Sequence, residues 1–283
     1  MNTAPTPSRA RLTPGAVLHA LLVLTVTASF LGVPLWVAVV TAGKDQAEAV
    51  VPGLALPSSW HLLDNIQTVI AQGRMGPAAL GSLVVTIPSV FLALLFGSMA
   101  SWVLARRSSR AMAAVYAVFI SGVVLPPSII TLMMLLRMTG LAGTAVGMVC
   151  AYVGVYLSIV IFFITGFIRT IPISLEESAR IDGAGPARVF FTIILPLLRP
   201  TLASATILIV LYIWNDVFYA LFILSGKMST LPLNLYTVAS EGLYLNNWHL
   251  IFSYIIVMTL PLLVLFVIGQ RRIISGITGG AVK

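Results

Sequence analysis

The chain has 283 residues, of which 59% are hydrophobic and only 8% charged. A soluble domain carries about 25% charged residues, so this composition cannot build an ordinary water-facing surface and points to lipid as the solvent. The net charge of +8 does not indicate nucleic acid, because the basic residues form no stripe interleaved with aromatics.

Residues 1–14 place Pro5, Pro7 and Pro14 among serines and threonines without apolar periodicity, which predicts a disordered tail. Crossing a bilayer core takes about 20 apolar residues in a helix. Six stretches qualify: 16–42, 78–105, 111–136, 141–168, 201–224 and 250–269. The first has no charge between Arg11 and Lys44. It exceeds the roughly 7–15-residue apolar core of a cleaved signal peptide, so residues 15–43 read as a first transmembrane helix. An outer loop follows at 44–77, then a five-helix core at 78–270 and a tail at 271–283. A further outer loop lies near 225–249, and neither loop is long enough for a separate enzyme domain. The fold class expected is all-α, a polytopic membrane protein with six transmembrane helices.

Within these spans, Ala93, Gly97 and Ser101 repeat at small-x3-small spacing, which predicts close helix packing. Pro126-Pro127 removes backbone hydrogen bonds and must bend or interrupt the third span. Met133, Met134 and Met138 read as core filling, Arg137 as a membrane-edge anchor, and the single Cys150 as a small buried hydrophobe. One cysteine excludes an internal disulfide and a thiolate metal cluster. His19, His61 and His249 lack the i, i+4 spacing of helical zinc sites. No catalytic constellation, metal site or cofactor is expected, and no phosphate-binding glycine loop is present.

Basic residues set the orientation. Six spans put Arg9, Arg11, Arg106, Arg107, Arg110, Arg169, Arg180, Arg188, Arg199, Arg271, Arg272 and Lys283 on one side. Only Lys44, Arg74, Arg137 and Lys227 fall on the other. Both termini are therefore expected in the cytoplasm, in a cell (inner) membrane.

The loop between spans four and five, 172–200, has its own local signals. Ser174 followed by Glu177 predicts a capping box and a helix start. Glu176 and Arg180 stand at i, i+4 in the favourable order. Gly183 suits a left-handed helix end, and Pro186 suits the first turn of a second helix that runs past Phe190, Phe191 and Ile194 to Pro196 and Pro200. A helix of about eight residues is marginal alone, since about 12–15 are needed in water, so it must be ordered by packing. Leu175 and Ala179 share one face with Ser178 beside them. These signals fit equally an ordinary connector and a surface helix made for a partner.

The offsets Glu177-Ser178-Ala179, Gly183, Ile193 and Leu195-Pro196 resemble the EAA motif of ABC importer permeases, Glu-Ala-Ala-x3-Gly-x9-Ile-x-Leu-Pro, with Ser178 as a mild departure. The flanks of this motif resemble the carbohydrate-uptake branch. So do Gly140-Leu141-Ala142-Gly143-Thr144, Trp214-Asn215-Asp216, Thr230-Leu231-Pro232 and the tail from Gly276 to Lys283. The resemblance covers all but the N-terminal tail and first outer loop. It implies a type I ABC importer permease fold and a transport subunit, with ATP hydrolysed on a separate subunit. The implied partners are an ABC ATPase dimer, a second homologous permease, an extracytoplasmic solute-binding protein, the lipid bilayer and a sugar or polyol substrate. Ser174, Leu175, Glu176, Glu177, Ser178, Ala179, Arg180, Asp182, Gly183 and Ala184 would form the ATPase-docking segment, with Glu177 in contact and Gly183 permitting the turn.

Asp216 is the one acid inside a predicted span, where a charge costs about 2.5–3.5 kcal/mol. Tyr212, Asn215, Asp216 and Tyr219 fall on one helical stripe of groups suited to a polyhydroxylated ligand. Asp216 lies about 22 Å along its helix, so it also fits as a partner of a neighbouring helix beside an aromatic belt. The competing function is a proton-coupled secondary transporter using Asp216. A membrane enzyme would need clustered catalytic groups, which the sequence lacks.

Overall fold

The computed structural model describes residues 14–125, 127–240 and 247–281, and all regular structure among them is helical. In chain order the helices are α1 (Gly15–Ala42), α2 (Leu62–Gln72), α3 (Met75–Arg106), α4 (Arg110–Val124), α5 (Ile129–Met138) and α6 (Ala145–Ile168). There follow α7 (Ser174–Ile181), α8 (Pro186–Leu197), α9 (Arg199–Trp214), α10 (Phe218–Leu224), α11 (Leu231–Ser240) and α12 (Trp248–Ala281). The tail expected at 1–14 lies outside the described residues apart from Pro14.

Four helices are long and apolar enough to cross a membrane: α1, α3, α6 and the Trp248–Gln270 part of α12. Two bent pairs, α4 with α5 at 114° and α8 with α9 at 75°, raise the number to six. The break between α4 and α5 falls where Pro126-Pro127 predicts it, Pro126 itself lying outside the described residues. The predicted fifth span, 201–224, is two helices: α9 ends at Trp214, and α10 begins at Phe218 after a turn at Asn215-Asp216-Val217. The predicted fourth span starts four residues late, because 141–144 form a turn with Gly140 and Gly143 at φ +71° and +75°. Thr144 then opens α6 by accepting a 3.0 Å bond from the Gly147 N–H.

The most extensive helix pairing joins α3 to α6. The two helices approach closely at Gly97, where an added Cβ would lie 2.4 Å from Val160 Cγ1. Ala93 and Ser101 are fully buried on the same face, so the small-residue stripe is a packing surface, as expected. In α6, Met148, Tyr152, Ile161, Ile164 and Ile168 point into the core. α9 packs on α12, and α12 on the far end of α1 and on α2. Asn65 of α2 ties that end with 2.8 Å bonds to the carbonyls of Ala42 and Lys44.

Apolar patterning failed at a few positions to separate inside from outside. Cys150 is exposed, beside a groove lined by Leu132, Leu136 and Gly154, and is not the buried hydrophobe expected. Met134 and Met138 are 60% and 84% exposed rather than core. The physical reason is common to all three. In a lipid-facing protein the exterior is as apolar as the interior, so hydropathy does not tell which face of a helix is buried.

Candidate functional site

The segment 172–200 leaves α6 through a tight turn and forms α7. The helix starts at Ser174 as expected, but the capping box is absent: Ile173 occupies the cap position with no side-chain bond. The preceding turn makes a side-chain cap redundant, since the carbonyls of Pro172 and Ile173 already accept from Leu175, Glu176 and Glu177. The C-terminal end follows the prediction closely. Gly183 has φ +82°, its N–H bonds the Arg180 carbonyl, and the Ala184 N–H bonds the Ala179 carbonyl. These two bonds make a complete Schellman closure. Pro186 opens α8 as expected. The helix ends at Leu197, between Pro196 and Pro200 as expected, and the 75° bend follows. Pro200 sits in the first turn of α9, where its missing N–H costs nothing.

The predicted docking residues divide into two faces. Ser174, Leu175, Glu177, Ser178, Arg180, Asp182 and Gly183 are exposed, and Ala179 and Ala184 are half-buried. Ile181 joins the open face at 86% exposure. Glu176 is different. It is 1% exposed and turned into the bundle, where the Arg106 Nε donates to Oε1 at 2.6 Å and the Trp102 indole N–H donates to Oε2 at 3.0 Å. The predicted Arg180 partner is also present, with its guanidinium 3.7 Å from Oε2. Arg106 reaches further, to the Ile171 carbonyl at 2.9 Å, and the Trp102 ring packs on Phe190 of α8 with centroids 5.7 Å apart. Glu176 is therefore closed to a partner, in contrast to the sequence expectation. Trp102 and Arg106, one turn apart at the end of α3, were not among the predicted site residues. Their i, i+4 spacing is visible in the sequence, but nothing there links it to an acid 70 residues away.

The second set surrounds Asp216. The predicted stripe assumed one continuous helix, and the turn at 215–217 breaks it. Asp216 accepts from the backbone N–H groups of Tyr219 at 3.3 Å and Ala220 at 3.1 Å, satisfying free donors at the start of α10. The Tyr152 hydroxyl donates to its Oδ2 at 2.7 Å. Tyr152 packs edge-on to Tyr219, and Tyr156 stacks on Tyr212 at 5.8 Å with planes 8° apart. Tyr212 remains 50% exposed. Asn215 is exposed too, its amide donating back to the Leu211 carbonyl at 2.9 Å. Three of the predicted residues, Tyr212, Asp216 and Tyr219, thus share one aromatic cluster with Tyr152 and Tyr156 of α6. The sequence reading missed those two tyrosines, although their i, i+4 spacing was there to be read.

A bundle of apolar helices with broken spans and one short helix folded against its end is the architecture of an ABC importer permease. The fold is similar to that of a bacterial ABC transporter involved in the import of the acidic polysaccharide alginate. The TM-score is 0.76 at 18% identity, over 95% of this chain and 99% of that one. Residues 93–279 match the family described as binding-protein-dependent transport system inner membrane component, and the chain belongs to that family. It is similar to the melibiose/raffinose/stachyose import permease protein of Bacillus subtilis, with 36% identity over 77% of this chain and 80% of that protein. The multiple sugar-binding transport system permease protein of Streptococcus mutans is 32% identical over 92% of this chain and 95% of that protein. The diacetylchitobiose uptake system permease protein of Streptomyces coelicolor is 29% identical over 95% and 89%. The chain is accordingly a multi-pass membrane transport subunit of an ABC importer, not an enzyme.

Proposed function

We propose that the chain forms half of the translocation pathway of an ATP-driven, binding-protein-dependent importer for a sugar or related polyol, and that α7 docks it to the ATPase. The substrate class is supported by the relatives, which are named for import of oligosaccharides. In this reading the 172–200 end and both termini are cytoplasmic. A second permease completes the pore, and a binding protein delivers substrate at the opposite end.

The observation that carries the docking reading is the open face of α7. Leu175 and Ile181 are 45% and 86% exposed beside the exposed Glu177. These side chains lie at the end of the bundle that also carries Arg106 and Arg180. Apolar side chains of this size gain about 1.5–3 kcal/mol each when fully buried, enough to order a marginal helix against a partner. Asp216 with Tyr212, Tyr156 and Tyr219 offers a carboxylate and aromatic faces, the groups a ring hydroxyl and a sugar C–H face would use. The proton-carrier reading of Asp216 draws no support from this geometry, in which three donors already hold the carboxylate.

Replacing Gly183 with Val tests the docking reading. An added Cβ meets no atom within 4 Å, so the cost comes from the backbone angle of +82°. That cost is about 1–2 kcal/mol for a residue with a Cβ, which shifts the helix end. The ATPase should no longer co-purify with the detergent-solubilised permease, nor should it with a Leu175→Asp/Ile181→Asp double variant. Undiminished co-purification with both variants overturns the docking assignment.

A further inference from the structure

We propose that Trp102, Arg106 and Glu176 form a latch that makes α7 move as one body with α3, so that ATPase motion enters the bundle through α3 rather than through the chain neighbours of α7. The proposal rests on the docking reading of α7 and adds the route by which its movement is passed on.

The covalent route is poorly suited to carry force. On one side α7 joins α6 through the turn at 169–173, and on the other it ends in the Schellman turn at Gly183, a short link in which Gly183 and Gly185 have open surroundings. The second link, through α8, passes a π-type widening at Phe190–Ile194 and a 75° bend before reaching α9. The latch bypasses both. Arg106 is only 15% exposed at its side chain and Glu176 1%, so the ion pair sits where water competes little. One guanidinium holds two points of the segment, the Glu176 carboxylate and the Ile171 carbonyl. Trp102 likewise holds two, donating to Glu176 and packing its ring on the buried Phe190. α7 and α8 are thereby clamped to the last turn of α3. From there α3 is locked to α6 at Gly97 and through the Ser101 hydroxyl, which donates to the Ile161 carbonyl at 3.4 Å. α6 in turn carries Tyr152, the donor to Asp216. A continuous packed path thus joins the open face of α7 to the Asp216 cluster, with two acids at its ends.

Trp102, Arg106 and Glu176 are positioning residues in this scheme, and the readout must separate transmission from docking. The full complex is reconstituted in proteoliposomes, and three quantities are measured: ATPase co-purification, ATP hydrolysis, and uptake of radiolabelled melibiose, raffinose or diacetylchitobiose, whichever the wild-type complex accumulates. Glu176→Gln and Arg106→Gln should retain the ATPase at wild-type stoichiometry and continue to hydrolyse ATP. Uptake per ATP hydrolysed should fall at least tenfold. The Arg106→Gln/Glu176→Gln double variant should lose no more than either single one, because both break the same link. Trp102→Phe keeps the ring on Phe190 and removes one donor, so it should show a smaller fall and remains usable if the charge variants assemble poorly. Loss of the ATPase in all of these variants, Trp102→Phe included, overturns the latch and makes the cluster a docking element. Unchanged uptake per ATP also overturns it, as does a double variant whose loss is the product of the single losses. Failure of the docking reading itself shows separately, as undiminished retention of the ATPase by both Gly183→Val and Leu175→Asp/Ile181→Asp.

Discussion

Two carboxylates of this bundle, Glu176 and Asp216, are held in different ways. Glu176 is 1% exposed and is met by a guanidinium, an indole N–H and a second, more distant guanidinium. Asp216 is only half-buried and is met by one phenol and two backbone N–H groups, with no cation paired to it among the described residues. A buried ion pair with its oxygens fully occupied is expensive to break and offers nothing to a visitor. The half-buried Asp216 instead lies beside exposed Tyr212 and Asn215. The contrast separates a buried, fully paired acid from a half-open one.

The contrast can be broken most forcefully at the buried acid. Glu176→Leu leaves Arg106 facing an apolar side chain, at a cost of about 3 kcal/mol. The segment 169–200 should then become readily cleaved by trypsin at Arg180 and Arg188 in the purified protein. Equal protection in wild type and variant would show that Glu176 does not hold the segment.

Next comes Gly97→Leu, which strikes the helix pair carrying both clusters. A Cβ there meets Val160 at 2.4 Å, and forcing α3 from α6 should cost about 1–3 kcal/mol. Thermal unfolding in detergent should move down, and uptake should fall with it. An unchanged melting curve would show that the two helices part without strain.

At Asp216 two replacements divide capping from charge. Asp216→Ala removes the acceptor for the α10 donors and should cost about 1 kcal/mol of stability, while Asp216→Asn keeps an acceptor oxygen and should cost less. If the carboxylate touches substrate, Asn loses uptake at normal expression despite its near-normal stability. Normal uptake in Asn with a loss only in Ala would reduce Asp216 to a helix cap.

The smallest effect is expected from Tyr152→Phe, which deletes one hydrogen bond worth about 0.5–1.5 kcal/mol and keeps the ring against Tyr156 and Tyr219. A modest fall in melting temperature with uptake within a few-fold of wild type fits a supporting role. A collapse of uptake would place Tyr152 on the substrate path itself.

Much of the molecule was legible before any fold was known. Composition, with 8% charge, pointed to a chain that lives in lipid, and apolar runs of about 20 residues pointed to helices, which satisfy their own backbone in a bilayer. Local chemistry dictated the glycine turn at 183, the opening of α8 at Pro186 and the interruption near Pro126-Pro127, since each depends on residues within a few positions of one another. The small stripe of α3 was read correctly for the same reason. What remained closed to sequence were the relations between distant residues. Only the tertiary structure turned Glu176 inward onto Trp102 and Arg106, split the fifth span at Asp216, brought Tyr152 and Tyr156 to that break, and exposed Cys150 and Met138. Those outcomes depend on which helix faces which, and in a chain apolar on every side no local pattern carries that information.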